Sequence, residues 1–232
     1  MQRKVWVVVA VVVLVLSAAV LYGAESTPNG GAAEGLDSTS GSAPASDAGG
    51  VYRFAVVPAE SEALYRVREE LVGIPLPVEA VGRTNEVSGT VVFDAHGRVV
   101  RELSVARVNL NSLKSDQSRR DNFVRQNTLQ TSKYPEAVLV PTEVRGLTFP
   151  LPEEGSAPVT IAGELTIRDV TRPVEWSGTA YFEPGAMRIE ASTSFTFADF
   201  SLQQPRVPFV LSVSDTIRLE ASVLFERLDA AG

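Results

Sequence analysis

Cysteine is absent from this chain, and His96 is its only histidine. The first absence excludes disulfides, a thiol nucleophile and a lipid-modified cysteine anchor. Together the two leave a metal site to clustered carboxylates, and the sequence holds no such cluster. No G-x-S-x-G nucleophile elbow is present either. Neighbouring acids such as Glu69-Glu70 and Glu153-Glu154 do not fill the gap. In a strand they point to opposite faces, and in a loop they are solvated. His96 lies in Asp94-Ala95-His96-Gly97, a turn in which an exposed, inert imidazole is expected. Lysine is scarce as well: three stand among 21 basic residues, the arginines are scattered, and the net charge is −7. That pattern argues against a nucleic-acid partner. The sequence thus predicts no enzyme, no metal and no cofactor.

Long apolar runs are limited to one. Residues 5–22 are apolar except for Ser17, and Arg3 and Lys4 precede them, the order of an export signal. Its 18 residues stand at the short end of what crosses a bilayer as a helix. Ser17-Ala18-Ala19 has the small-x-small form of a cleavage site, but Tyr22 is too bulky for a cut after Ala24. The reading favours residues 1–23 as an uncleaved anchor over a cleaved signal peptide, with the remainder outside the cytoplasm and tethered to the membrane. Residues 24–50 are almost wholly small, polar or acidic, with Leu36 the one large apolar side chain. Such a segment is a disordered linker, with a typical reach of roughly 30 Å. Residues 51–232 remain for a single folded domain.

In that domain the apolar period is two. "VTIAGELTI" places Val159, Ile161, Leu165 and Ile167 on one side. "MRIEASTSFTF" does the same with Met187, Ile189, Ala191, Phe195 and Phe197, and "TIRLEASVLFE" with Ile217, Leu219, Ala221, Val223 and Phe225. Weaker alternation covers 65–71, 87–93, 99–108 and 137–144. One dry and one wet face is the mark of antiparallel sheet. Gly89, Gly163 and Gly178 interrupt strand patterns where a barrel would bend. The expected fold is all-β, a single antiparallel barrel of about eight strands, closed because closure removes exposed edges. Such a barrel is either filled by its own side chains or wide enough for one small ligand, and periodicity does not separate the two. The small inward residues Gly89, Gly163, Ala191 and Ala221 leave room.

One stretch breaks the pattern: "SRRDNFVRQNTLQTSKYP", residues 118–135. Ser118 followed by Asp121 looks like a capping-box helix start, and Tyr134-Pro135 ends the segment. A short helix with a narrow apolar stripe is marginal alone, so it is expected to lie across one mouth of the barrel. Phe123, Val124 and Leu129 would face inward, with Arg119 and Arg125 reaching solvent or anionic head groups. Arg119-Arg120-Asp121 could form an anion site. An aspartate–arginine pair that supports the helix start is the simpler reading.

These segments resemble the YceI-like family. "RRDNFVRQNTLQTSKYP" is similar to its R-D-x-H-L-R…YP segment, and "VTIAGELTIRDVTRPVEW" to its v-x-G-x-L-T-I-x-G-V-T-x-P-V signature. "SGTVVFD" and "FADFSL…VSDTIRLEASV" also fit, so the resemblance spans Tyr52 to Leu228. Arg120, Asp121, Arg125, Tyr134 and Pro135 take the helix-motif positions. Gly163, Leu165, Thr166, Thr171 and Pro173 take those of the strand–turn–strand motif. Phe123 stands where the family often has histidine, and Asp169 where it often has glycine. The resemblance implies an exported lipocalin-like barrel with a long hydrophobic cavity that binds polyisoprenoid chains, isoprenoid quinones among them.

The expected ligand-binding residues are Val67, Leu71, Val91, Phe93, Phe123, Leu129, Leu165, Ile167, Trp176, Phe195, Phe197, Leu219 and Val223. The expected partners are a lipid ligand and, through residues 1–23, a membrane; a homodimer is left open. The alternative is a structural or stress-related envelope domain with a filled core that acts through its surface.

Overall fold

The computed structural model of the chain describes residues 51–206 and 210–228. The expected anchor and linker lie outside the described residues, among which no helix is long and apolar enough to cross a membrane. Ten strand segments form one antiparallel sheet: β1 (Tyr52–Val56), β2 (Glu62–Leu71), β3 (Val78–Thr84), β4 (Val87–Phe93), β5 (Val105–Asn109), β6 (Glu136–Arg145), β7 (Gly155–Ile167), β8 (Val170–Glu183), β9 (Ala186–Thr196) and β10 (Val210–Leu228).

The ladder runs β1-β4-β5-β6-β7-β8-β9-β10 and closes through β1 against β10. The 19-residue β10 is long enough to carry β2 along its first part and β1 along its last. So β1 and β2 are two halves of one broken strand. β4 pairs with the first half and β3 with the second, which makes ten segments an eight-position barrel. Pro58, which has no N–H to give the ladder, starts the break. Ser61 stitches it: its hydroxyl donates to the Val57 carbonyl at 2.7 Å and accepts from the Leu224 N–H at 3.1 Å. Asn85 Nδ2 donates to the Ser61 carbonyl at 3.0 Å. The interior glycines mark close strand approach. A Cβ at Gly178 would meet the Glu190 carbonyl oxygen at 2.0 Å, and Gly89 takes a φ of +140° against the Val105 carbonyl.

Chain direction sorts the connections to two ends. The lower end holds the β4–β5, β6–β7 and β8–β9 connections, with the start of β1 and the finish of β10. The upper end holds the β2–β3 hairpin, the 110–135 excursion, the Arg168-Asp169 turn and the segment after β9. The lower end is packed solid: Phe54, Phe93, Met187 and Ala180 are buried. Tyr52 and Phe149 join Phe93 there, Phe149 lying 5.0 Å, centroid to centroid, from each of the other two rings.

Two strand expectations need correction. The pattern at 99–108 yields a strand only from Val105 onward. Before it, Ser104 accepts from the Val92 N–H at 3.0 Å and donates to the Val100 carbonyl at 2.8 Å, holding residues 101–103 in a tight turn. Strand β3 was not among the segments read from the sequence. Pro75, Pro77 and Gly82 obscure its alternation, and it forms because β2 supplies a partner edge.

Candidate functional site

Between its ends the barrel is hollow. A cavity of about 1130 Å³ reaches from Phe93 and Phe225 at the floor to Ile74, Asp116, Gln117 and Arg119 at the rim. These last four are exposed and stand at the upper end, so the cavity opens there. All thirteen expected residues line it: Val67, Leu71, Val91, Phe93, Phe123, Leu129, Leu165, Ile167, Trp176, Phe195, Phe197, Leu219 and Val223. Ala191 and Ala221 line it too, and their small side chains widen it. Val159 and Met187, read from the same alternation, do not; they pack below the cavity. The interior is therefore not filled by the barrel's own side chains, contrary to the filled-core alternative.

The upper mouth carries helix α1, Ser118–Phe123, continued by a widened turn over Val124–Thr128. Leu129 N–H donates to the Val124 carbonyl at 2.8 Å, a five-residue step that brings both side chains to one face. Phe123, Val124, Thr128 and Leu129 all line the cavity.

The polar contacts differ from expectation. Ser118 does not cap the helix; Gln117 holds that position without a side-chain bond. Buried Asp121 turns back instead, accepting from the Ser115 N–H at 2.8 Å and its hydroxyl at 2.6 Å. Arg125 is half-buried rather than free in solvent, and its guanidinium donates to the Leu113 carbonyl at 3.0 Å and to Asn122 Oδ1 at 2.9 Å. Arg120 pairs with Asp116 and Glu69 rather than with Asp121. Burial works against its charge, but the two carboxylates prevail and its pKa is raised. The Arg120 charge is thus committed to two carboxylates of the protein itself.

Glu69 is the residue that sequence reasoning missed. Its side chain is only 10% exposed, beside the 19% exposed Arg120. The signal was present: Glu69 is in phase with Tyr65, Val67 and Leu71, on the inward face of β2. Tyr65 completes the group. Burial is the main cause that pushes its hydroxyl pKa up to about 12; Arg120 opposes the shift, and Asp121 and Glu69 add to it.

The motif positions at the upper end are mostly architectural. The Tyr134 ring lies under the Lys133 ammonium at 4.8 Å and the Arg168 guanidinium at 5.7 Å. The Pro135 carbonyl accepts from the Leu110 N–H at 2.8 Å. Together these tie the end of the excursion to the barrel. Thr166 and Thr171 share a 2.8 Å hydroxyl bond across the β7–β8 hairpin. Its positive φ, 58°, falls on Arg168 and not on Asp169, so a non-glycine residue at 169 carries no strain.

Two polar atoms on the cavity wall, Trp176 Nε1 and Thr128 Oγ1, are buried without a protein hydrogen-bond partner. Among the described residues no three His, Cys, Asp or Glu side chains gather as a metal site would require, and His96 is an exposed turn residue.

The family model of the YceI-like domain matches residues 54–225, nearly the whole barrel. The chain belongs to the YceI-like family. Among its relatives, the UPF0312 protein of Shewanella denitrificans is 32% identical over 135 residues, 55% of this chain and 66% of that protein. A UPF0312 protein of Shewanella sp. strain ANA-3 is 29% identical over the same shares. The match thus spans just under two thirds of these relatives' length. Two solved structures superpose on the barrel. A polyisoprenoid binding domain from Saccharophagus degradans, described as implicated in plant cell wall breakdown, gives a TM-score of 0.59 at 14% identity, covering 75% of this chain and 98% of that one. BcnA of Burkholderia cenocepacia gives 0.54 at 14% identity, covering 73% and 98%. At that identity the likeness is one of fold.

Proposed function

We propose that this YceI-like barrel is a non-catalytic carrier or store for a polyisoprenoid-type lipid, such as an isoprenoid quinone, at the cell envelope. The observation that carries the reading is the cavity: about 1130 Å³ of apolar space with one polar rim. A hydrocarbon chain that enters such a space is stabilised by about 0.8 kcal/mol for each CH₂ it buries. A flexible, methyl-branched chain suits a wall of Val, Leu and Ile better than a rigid disc does. The description of the Saccharophagus degradans neighbour as a polyisoprenoid binding domain supports the same class of ligand. A quinone carbonyl is an acceptor of the kind that the unpartnered Trp176 N–H and Thr128 hydroxyl require.

Trp176 offers a direct test, because the chain's other tryptophan, Trp6, lies outside the barrel sequence. Titration with an isoprenoid quinone should quench Trp176 emission in a saturable way. Trp176→Phe should lose the signal, and its residual Trp6 emission should not respond. An unquenched Trp176 at saturating quinone contradicts the reading.

A further inference from the structure

The described residues include eight large hydrophobic side chains that stand exposed, and four of them crowd the upper end: Val72 (57%), Ile74 (46%), Leu76 (73%) and Leu211 (67%). The first three form the tip of the β2–β3 hairpin. Leu211 belongs to the adjacent edge of β10, where Val210 pairs with Leu71. From Leu71 to Val78 the sequence reads L-V-G-I-P-L-P-V, without a charge or a polar side chain. Gly73, at a φ of +79°, has nothing within 4 Å of where a Cβ would stand, so the tip projects into open space.

We infer that this tip is a bilayer-docking element that inserts into the lipid surface and sets the cavity mouth against it. The inference rests on the lipid cargo proposed above and adds where that cargo crosses. Three features favour a bilayer over a protein partner.

The backbone at the tip is short of donors. Pro75 and Pro77 have no N–H, and the Ile74 N–H is already given to the Leu71 carbonyl at 3.2 Å. Hydrocarbon tolerates such a segment because few of its polar groups go unmet. The apolar surface also continues into the cavity: Leu71, Ile74 and Val78 belong to the hairpin and line the cavity as well. An isoprenoid that leaves by this side meets hydrocarbon throughout, whereas release anywhere else exposes it to water. Finally, Arg120 at the mouth is paired with Glu69 and Asp116, and the chain's net charge is −7. Attraction to an anionic surface is therefore not the driving force. Docking should be apolar, work on zwitterionic lipid and depend little on salt.

The native chain has no cysteine, so one introduced thiol gives a unique label. Leu76→Cys at the tip and His96→Cys at the lower end, each carrying a bimane in the full chain, are compared in phosphatidylcholine vesicles. The tip label should be quenched by nitroxide lipids and shielded from aqueous iodide, with the reverse at 96, at low and high salt alike. Equal iodide access at both sites would overturn the inference. So would shielding at 76 without vesicles, which would assign the tip to a second copy or a protein partner. In a second arm, Leu76→Asp should slow exchange of a fluorescent isoprenoid between vesicles and protein about tenfold and leave the amount bound at equilibrium unchanged. Unaltered exchange overturns the docking role. If wild type and variant alike take up no isoprenoid, the cargo reading fails on its own, and the quenching arm still decides whether the tip inserts.

Discussion

At the lower end of the barrel four aromatic rings meet, Phe54 against Phe93 at 6.3 Å and Phe149 between Tyr52 and Phe93 at 5.0 Å from each. At the upper end the same strands finish under a six-residue helix, a widened turn and the Glu69–Arg120 pair. Aromatic packing is dense, and its loss leaves a cavity that neighbours cannot refill. The lid is different in kind. Its helix is too short to be stable alone, and its polar contacts can be exchanged for water one at a time. Low-stability segments are where a structure opens without unfolding. One end therefore holds the barrel together, and the other lets it be filled.

The largest expected effect is at the floor. Phe93→Ala should cost about 3–5 kcal/mol, read as a lower urea midpoint, while the lid is untouched. A loss under about 1 kcal/mol would mean that the aromatic cluster is not what closes that end.

Next comes the pH dependence of the upper group. Tyr65 holds its proton to about pH 12 in the folded state, whereas an unfolded tyrosine releases it near pH 10. The unfolded chain is then favoured as pH rises between those values, and stability should fall by at most about 2–3 kcal/mol across that window. Below about pH 10 the residue contributes no slope. Tyr65→Phe should remove the decline, as followed by urea unfolding at successive pH values.

Arg120→Met should cost about 2 kcal/mol, less than a fully buried pair because both partners keep some exposure. It leaves the Glu69 carboxylate without its partner. The double variant Glu69→Gln with Arg120→Met should recover more than half of that loss, and a simple sum of the two single effects would show that the pair is not coupled.

Phe123→Asp is the smallest in stability and the most specific to the lid. It should speed loss of bound isoprenoid about tenfold while thermal unfolding stays near wild type. Unchanged exchange with normal unfolding would make the 118–129 stretch packing alone.

The contrast between the ends also explains what could be read from the sequence. Alternation in β7, β9 and β10 reported much of the cavity wall, because one face of a barrel strand meets solvent and the other the interior, and Leu165, Phe195 and Leu219 fell where the period put them. The strand breaks were hidden. Ser61 and Asn85 repair the ladder with side chains, and periodicity carries no sign of that. The mouth was the least legible part. Ser118 and Asp121 have capping-box spacing, but the aspartate finds Ser115, which lies before the helix and competes for it. Arg125 looked like a solvent residue until the 110–113 segment supplied a carbonyl within reach. Glu69 was dismissed as half of an acidic pair, although strand phase placed it inside. Only the fold brings Arg120, 51 residues later, to meet it.

The central claim is that the cavity is a lipid's place, and native mass spectrometry of the full chain purified from its own cells, with lipid extraction of the same sample, tests it most directly. The account predicts a mass excess that dissociates as a single isoprenoid-type lipid and that returns when the stripped protein is given that lipid. A protein of bare chain mass that takes up no added isoprenoid would contradict it.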